Sequence, residues 1–104
     1  MTTDLQIGGA TVDRHTLEAI CSRYRVRELA FFGSAARGEM RADSDVDMLV
    51  EFLPHSGIDL VDYAALMMEL TELVGRRVDL VSKKGLKPLI RTAVIEESHV
   101  LYAA

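Results

Sequence analysis

The chain has 104 residues, enough for one domain with a single core, and its 49% apolar and 27% charged composition excludes disorder. A net charge of −4 and a pI near 5.3 argue against direct nucleic-acid binding, which needs a basic footprint. One cysteine rules out an internal disulfide, and with no leader and no apolar run approaching ~18 residues a soluble cytoplasmic protein is expected.

Residues 1–10 are small and polar and read as a loose N-terminal arm of a single 1–104 domain. Leu17, Ile20, Cys21 and Tyr24 recur at helical spacing, which predicts an amphipathic helix over 12–24 with Cys21 as packing. Val26 to Phe32 reads as a strand running into Gly33-Ser34. A second strand spans Val46 to Leu53 and is broken by Pro54-His55-Ser56-Gly57. Asp59 is an N-cap with Asp62 three residues on, and Gly75 suits the end of the helix between them. Arg77 to Ser82 is a third strand with Asp79 in an apolar setting, where a carboxylate needs a partner. Pro88 opens a last helix whose apolar stripe is Leu86, Leu89, Ile90, Ala93 and Val94, and His99 to Tyr102 adds an edge strand. The order α-β-β-α-β-α-β predicts an α+β fold, a small mixed sheet flanked by helices.

The chemistry concentrates in Gly33-Ser34 and the acids that follow. A glycine-serine turn at a strand end offers backbone N–H groups to an anion, and the missing side chain lets a phosphate approach. Asp45 and Asp47 alternate along a strand, so they share a face, while Val46, Met48, Val50 and Phe52 point to the core. Two such acids about 6 Å apart repel by roughly 3 kcal/mol at an effective dielectric near 20. A fold that keeps them together needs a cation, and Mg²⁺ suits hard oxygen ligands. If the strand carrying Asp79 lies beside theirs, three acids can converge on two metal ions. Arg37 either reaches the phosphates or holds the turn by pairing with Glu39, Asp43 or Asp45. Ser44 reads as a turn hydroxyl and Gly38 as a backbone hinge. His15, His55 and His99 show no metal-ligand spacing. Arg76, Arg77, Lys83, Lys84 and Lys87 form a solvated rim that could also meet pyrophosphate or an acidic partner.

Taken together, Gly33-Ser34, Arg37-Gly38, Asp45, Asp47 and the later Asp79 resemble the DNA polymerase beta-type nucleotidyltransferase superfamily. The resemblance is greatest to its smallest branch, the minimal nucleotidyltransferase (MNT) domains, and runs from about Asp13 to Tyr102. It implies transfer of a nucleoside monophosphate from a triphosphate to a hydroxyl, with release of pyrophosphate. By the same resemblance Gly33, Ser34 and Arg37 bind nucleotide, and Asp45, Asp47 and Asp79 are the catalytic, magnesium-binding carboxylates. Many relatives carry a polar residue where Ala35 stands, so one phosphate contact is missing. The larger members have a further domain for the acceptor, so a partner is expected to complete this site. In the MNT branch the partner is a helical HEPN ribonuclease toxin, and the MNT protein is its antitoxin. The implied function is AMP transfer from ATP to a tyrosine of that toxin. Two alternatives stand beside it: neutralisation by complex formation alone, and transfer to a small molecule in the manner of aminoglycoside-resistance enzymes.

Overall fold

Alternation of apolar and polar residues at both ends of Gly8-Gly9 builds the first element, a hairpin. The computed structural model describes residues 4–104, and within them β1 (Asp4–Ile7) pairs antiparallel with β2 (Ala10–Asp13). The loop is two residues long, and both glycines take positive φ, 53° and 87°, as the tight hairpin turn requires. Ile7 and Val12 are fully buried in the core. The expected loose arm is therefore wrong for residues 4–10; residues 1–3 lie outside the described residues. A pair of glycines between short alternating segments is itself a hairpin signal, and the polar composition masked it.

Helix α1 (Arg14–Arg23) follows at once, starting two residues later than its periodicity suggests because β2 claims residues 12 and 13. Asp13 caps it, accepting from the backbone N–H of Thr16 at 3.0 Å and from the Thr16 hydroxyl at 2.7 Å. Strand β3 (Val26–Phe32) leads into the four-residue helix α2 (Ser34–Arg37), which is followed by β4 (Val46–Phe52). Helix α3 (Leu60–Val74) has the expected ends: Asp59 and Asp62 form a reciprocal capping box, and Gly75 closes it at φ 77°. Then come β5 (Val78–Ser82), a single 3-10 turn at Lys83–Gly85, α4 (Pro88–Glu97) and β6 (His99–Ala103).

The four long strands form one mixed sheet in the order β5-β4-β3-β6. β4 is antiparallel to β3 and parallel to β5, and β6 is an edge strand antiparallel to β3. Leu29, Phe31, Val46, Met48, Val50, Val78 and Leu80 turn to the side where Leu17, Ile20 and Cys21 of α1 and Leu66, Leu70 and Val74 of α3 complete the core. The mixed α+β fold read from the sequence is the fold observed.

Helix α4 departs from expectation. Its apolar stripe exists, but it is not buried: Leu89 is 97% and Ile90 49% exposed, and no residue of the helix is buried. Only Leu86, just ahead of the helix, is buried. Periodicity shows a face fit for burial; it does not show that this chain supplies the cover.

Candidate active site

The site is built where the central strands β3 and β4 end. Phe32 pairs with Asp47, and Gly33 turns the chain out of the sheet into α2. The Gly33 carbonyl accepts from the N–H groups of Ala36 and Arg37 at 3.0 and 3.1 Å, and that winds the turn. Gly33 adopts φ 71° and ψ −146°, a region essentially closed to other residues. A Cβ there would stand 2.3 Å from Asp47 Oδ2. The missing side chain of Gly33 thus lets the Asp47 carboxylate lie against the turn.

Ser34 directs its hydroxyl at the Met40 sulfur, 3.4 Å away. Ala35 is buried, and the hairpin turn lies over it: a Cβ on Gly8 would stand 3.2 Å from Ala35 Cβ. The hairpin therefore explains why a small apolar residue stands there. Gly38 ends α2 in the left-handed region at φ 71°, the hinge role expected of it.

The loop from 38 to 45 is held by a residue that reads only as rim in the sequence. Arg76 Nη1 donates to the carbonyls of Arg41 and Ser44 at 2.7 and 3.3 Å. Ser44 is the turn hydroxyl expected, accepting from the Arg41 N–H at 2.8 Å. Arg77 Nε lies 4.0 Å from Asp45 Oδ2, an exposed and weak pair. Lys83 faces Glu28 and Glu51, at 3.6 and 3.7 Å. His99 stacks on Phe31, with ring centroids 5.1 Å apart.

Parallel pairing of β4 with β5 sets Asp79 directly beside Asp47 in register, on the face opposite the core. Asp47 is half-buried, whereas Asp45 and Asp79 are exposed. The expected desolvation cost at Asp79 therefore does not arise. The electrostatics register the cluster at Asp47. Burial pushes its carboxyl above the ordinary carboxylate range, and the neighbouring charges of Asp79 and then Asp45 push it further. Among the described residues, no three acidic, histidine or cysteine side chains stand close enough to cage an ion as they lie. Three hard-oxygen acids, one of them destabilised by the others, nevertheless match a divalent cation in ligand type and charge.

Arg37 resolves the choice left open by the sequence in an unforeseen way. It pairs with Glu39, as foreseen, and its Nη1 donates to Glu97 Oε1 at 2.6 Å; Asp43 and Asp45 are not its partners. Glu97 Oε2 in turn accepts from the Gly33 N–H at 3.1 Å. Sixty-four residues separate Glu97 from Gly33, and nothing local in the sequence signals the contact. Beside Asp79, a groove of about 630 Å³ opens between β5 and α3, lined by Met67, Met68, Thr71 and Val78.

A small mixed sheet thus carries the glycine-serine turn at one strand end and acids paired across the next two strands. The nucleotidyltransferase domain family matches residues 14–101, and the chain belongs to that family. It is 46% identical over 77 residues to the protein adenylyltransferase MntA of Thermococcus cleftensis, a match covering 72% of this chain and 74% of that one. A solved structure described as a minimal nucleotidyltransferase superposes with a TM-score of 0.71 at 43% identity, covering 83% of this chain and 86% of that one. The MNT antitoxin solved in complex with the tri-AMPylated HEPN toxin of Shewanella oneidensis shares the fold, at a TM-score of 0.62 and 16% identity, covering 88% of this chain and 70% of that one.

Proposed function

We propose that this chain transfers AMP from ATP to a tyrosine hydroxyl of a HEPN-type toxin and thereby acts as its antitoxin. The observation that carries the reading is the pairing of Asp47 with Asp79 beside the Gly33-Ser34 turn. A protein adenylyltransferase at 46% identity supports the choice of AMP, and the AMPylated toxin complex of a fold neighbour supports the choice of acceptor.

In this reading Gly33, Ser34 and Arg37 hold the triphosphate tail, and Asp45 and Asp47 take up the magnesium that accompanies it. Magnesium, when bound, supplies positive charge against the phosphate oxygens and the developing oxyanion. Asp79 orients the acceptor hydroxyl and favours loss of its proton, and the groove beside it leaves room for a side chain. The hydroxyl oxygen forms the new bond to the α-phosphorus, and pyrophosphate leaves with the electrons of the broken bond. No group of the enzyme becomes covalently attached. Catalysis is positioning plus charge stabilisation.

ATP labelled at the α-phosphate is expected to mark the co-purified toxin, and γ-labelled ATP is not. Asp45→Asn combined with Asp47→Asn should lower that labelling at least ~100-fold, in line with the loss of an electrostatic constellation. Undiminished labelling by the double variant ends the catalytic assignment.

A second reading, neutralisation by complex formation alone, draws support from the buried Ala35 and from the uncovered apolar face of α4. The same double variant separates the two. Full toxin neutralisation without labelling favours the binder.

A further inference from the structure

Continuing the Phe31–His99 register by two places sets Gly33 opposite residue 97. At that point β6 has not begun, and Glu97 is still the last residue of α4. The final N–H of the β3 ladder therefore meets no strand, and a donor left unpaired there is costly. The Glu97 side chain takes the place of the missing strand: Oε2 accepts from Gly33 at 3.1 Å. Its other oxygen accepts from Arg37 Nη1 at 2.6 Å.

Gly33 and Arg37 are the two ends of α2, a helix of four residues. So short a helix cannot hold its own shape. One carboxylate bridges its beginning and its end, and ties both to α4. With Glu39 on Nε and Glu97 on Nη1, the guanidinium is fixed along two edges. A guanidinium carries five N–H donors, more than these two bonds use. A guanidinium already aimed loses less side-chain freedom when a phosphate arrives.

We propose that Glu97 is a positioning residue for nucleotide binding, fixing the Gly33-Ser34 turn and aiming Arg37 at the triphosphate. This rests on the nucleotide-binding role proposed above for Gly33, Ser34 and Arg37. Glu97 touches no reacting atom; it acts through Arg37 and the turn.

Hydrogen exchange at the Gly33 amide, followed by NMR on the full chain, reads the clamp without reference to activity. Glu97→Ala is expected to speed that exchange at least ~10-fold, and Glu97→Gln, which keeps an acceptor, by less. In transfer assays Glu97→Ala should raise the KM for ATP about 10-fold while kcat stays within about 3-fold. In an Arg37→Ala background, adding Glu97→Ala should raise KM by clearly less than the roughly 10-fold seen alone, because only the route through the Gly33 turn is left. Unchanged Gly33 exchange in both Glu97 variants overturns the clamp. A fall in kcat at constant KM, or full additivity with Arg37→Ala, overturns positioning through Arg37. Tighter ATP binding in Glu97→Gln also overturns it, by making Glu97 a competitor of the phosphates. A wild-type chain that binds no ATP overturns the nucleotidyl reading itself, before any substitution is compared.

Discussion

Gly33 and Asp47 share a space that admits either a methyl group or a carboxylate, and the sequence places the carboxylate there. The arrangement costs stability. Asp47 is held above its ordinary pKa by burial and by Asp79 and Asp45, so keeping its carboxylate charged costs the folded chain some stability. Asp47→Asn removes that charge with little change in volume. Without divalent cation at pH 7, the variant is expected to melt higher by roughly 2–4 °C, on the order of 0.5 kcal/mol after solvent screening. It should transfer no nucleotide. A melting temperature equal to or below that of wild type would show that the acids do not strain one another. At this scale much was legible: Asp45, Asp47, Asp79, Gly33 and Ser34 stand out by residue type and spacing. Glu97 and Arg76 did not. Each acts across a long sequence separation on a backbone group, and a backbone group leaves no trace in a sequence.

Among the elements, β5 is the edge strand that carries Asp79, and α3 protects it. Thr71 Oγ1 accepts from the Val78 N–H at 3.1 Å, and the Tyr63 hydroxyl donates to the Leu80 carbonyl at 2.6 Å. These two bonds flank Asp79 and satisfy groups that an edge strand otherwise leaves open. Thr71→Val keeps the shape and strands the Val78 donor, so the urea midpoint should fall by the equivalent of about 1–2 kcal/mol. An unchanged midpoint would mean that water replaces the hydroxyl. Elements with strong local chemistry were legible, above all α3 with its capping box and terminal glycine. The parallel adjacency of β4 and β5 was only a condition in the sequence reading, because strand neighbours are chosen by packing across the whole sheet. The burial of α4 was misjudged for a related reason: its stripe is local, but its cover is not.

For the molecule as a whole, acid should weaken the join between the α4 end and the site. Arg37 holds the Glu97 carboxyl below the ordinary range, with help from the Gly33 N–H. Hydrogen bonds from Thr16 do the same for Asp13. A carboxylate with a depressed folded pKa stabilises fully above its unfolded value, and the benefit is lost as pH falls through the folded value. Melting temperature should therefore decline on acidification below about pH 4.5, with the slope reduced in Glu97→Gln. A slope identical to wild type would place the acid sensitivity elsewhere. Overall architecture was the most legible level, since four long strands and three long helices in this order leave few ways to make one mixed sheet. The N-terminal hairpin escaped because its segments are short, and a pair of four-residue strands is stable only once docked.

Cys21 sits inside the core with no exposed surface, and burial pushes its thiol up to about 12. Alkylating reagents should pass it by under native conditions, because the reactive thiolate is absent near neutrality. A cysteine introduced at an exposed position such as Met68 or Leu89 would then be the single site for a dye or crosslinker. The native residue need not be removed first, so encounters between this chain and any other can be followed in a background with an intact interior.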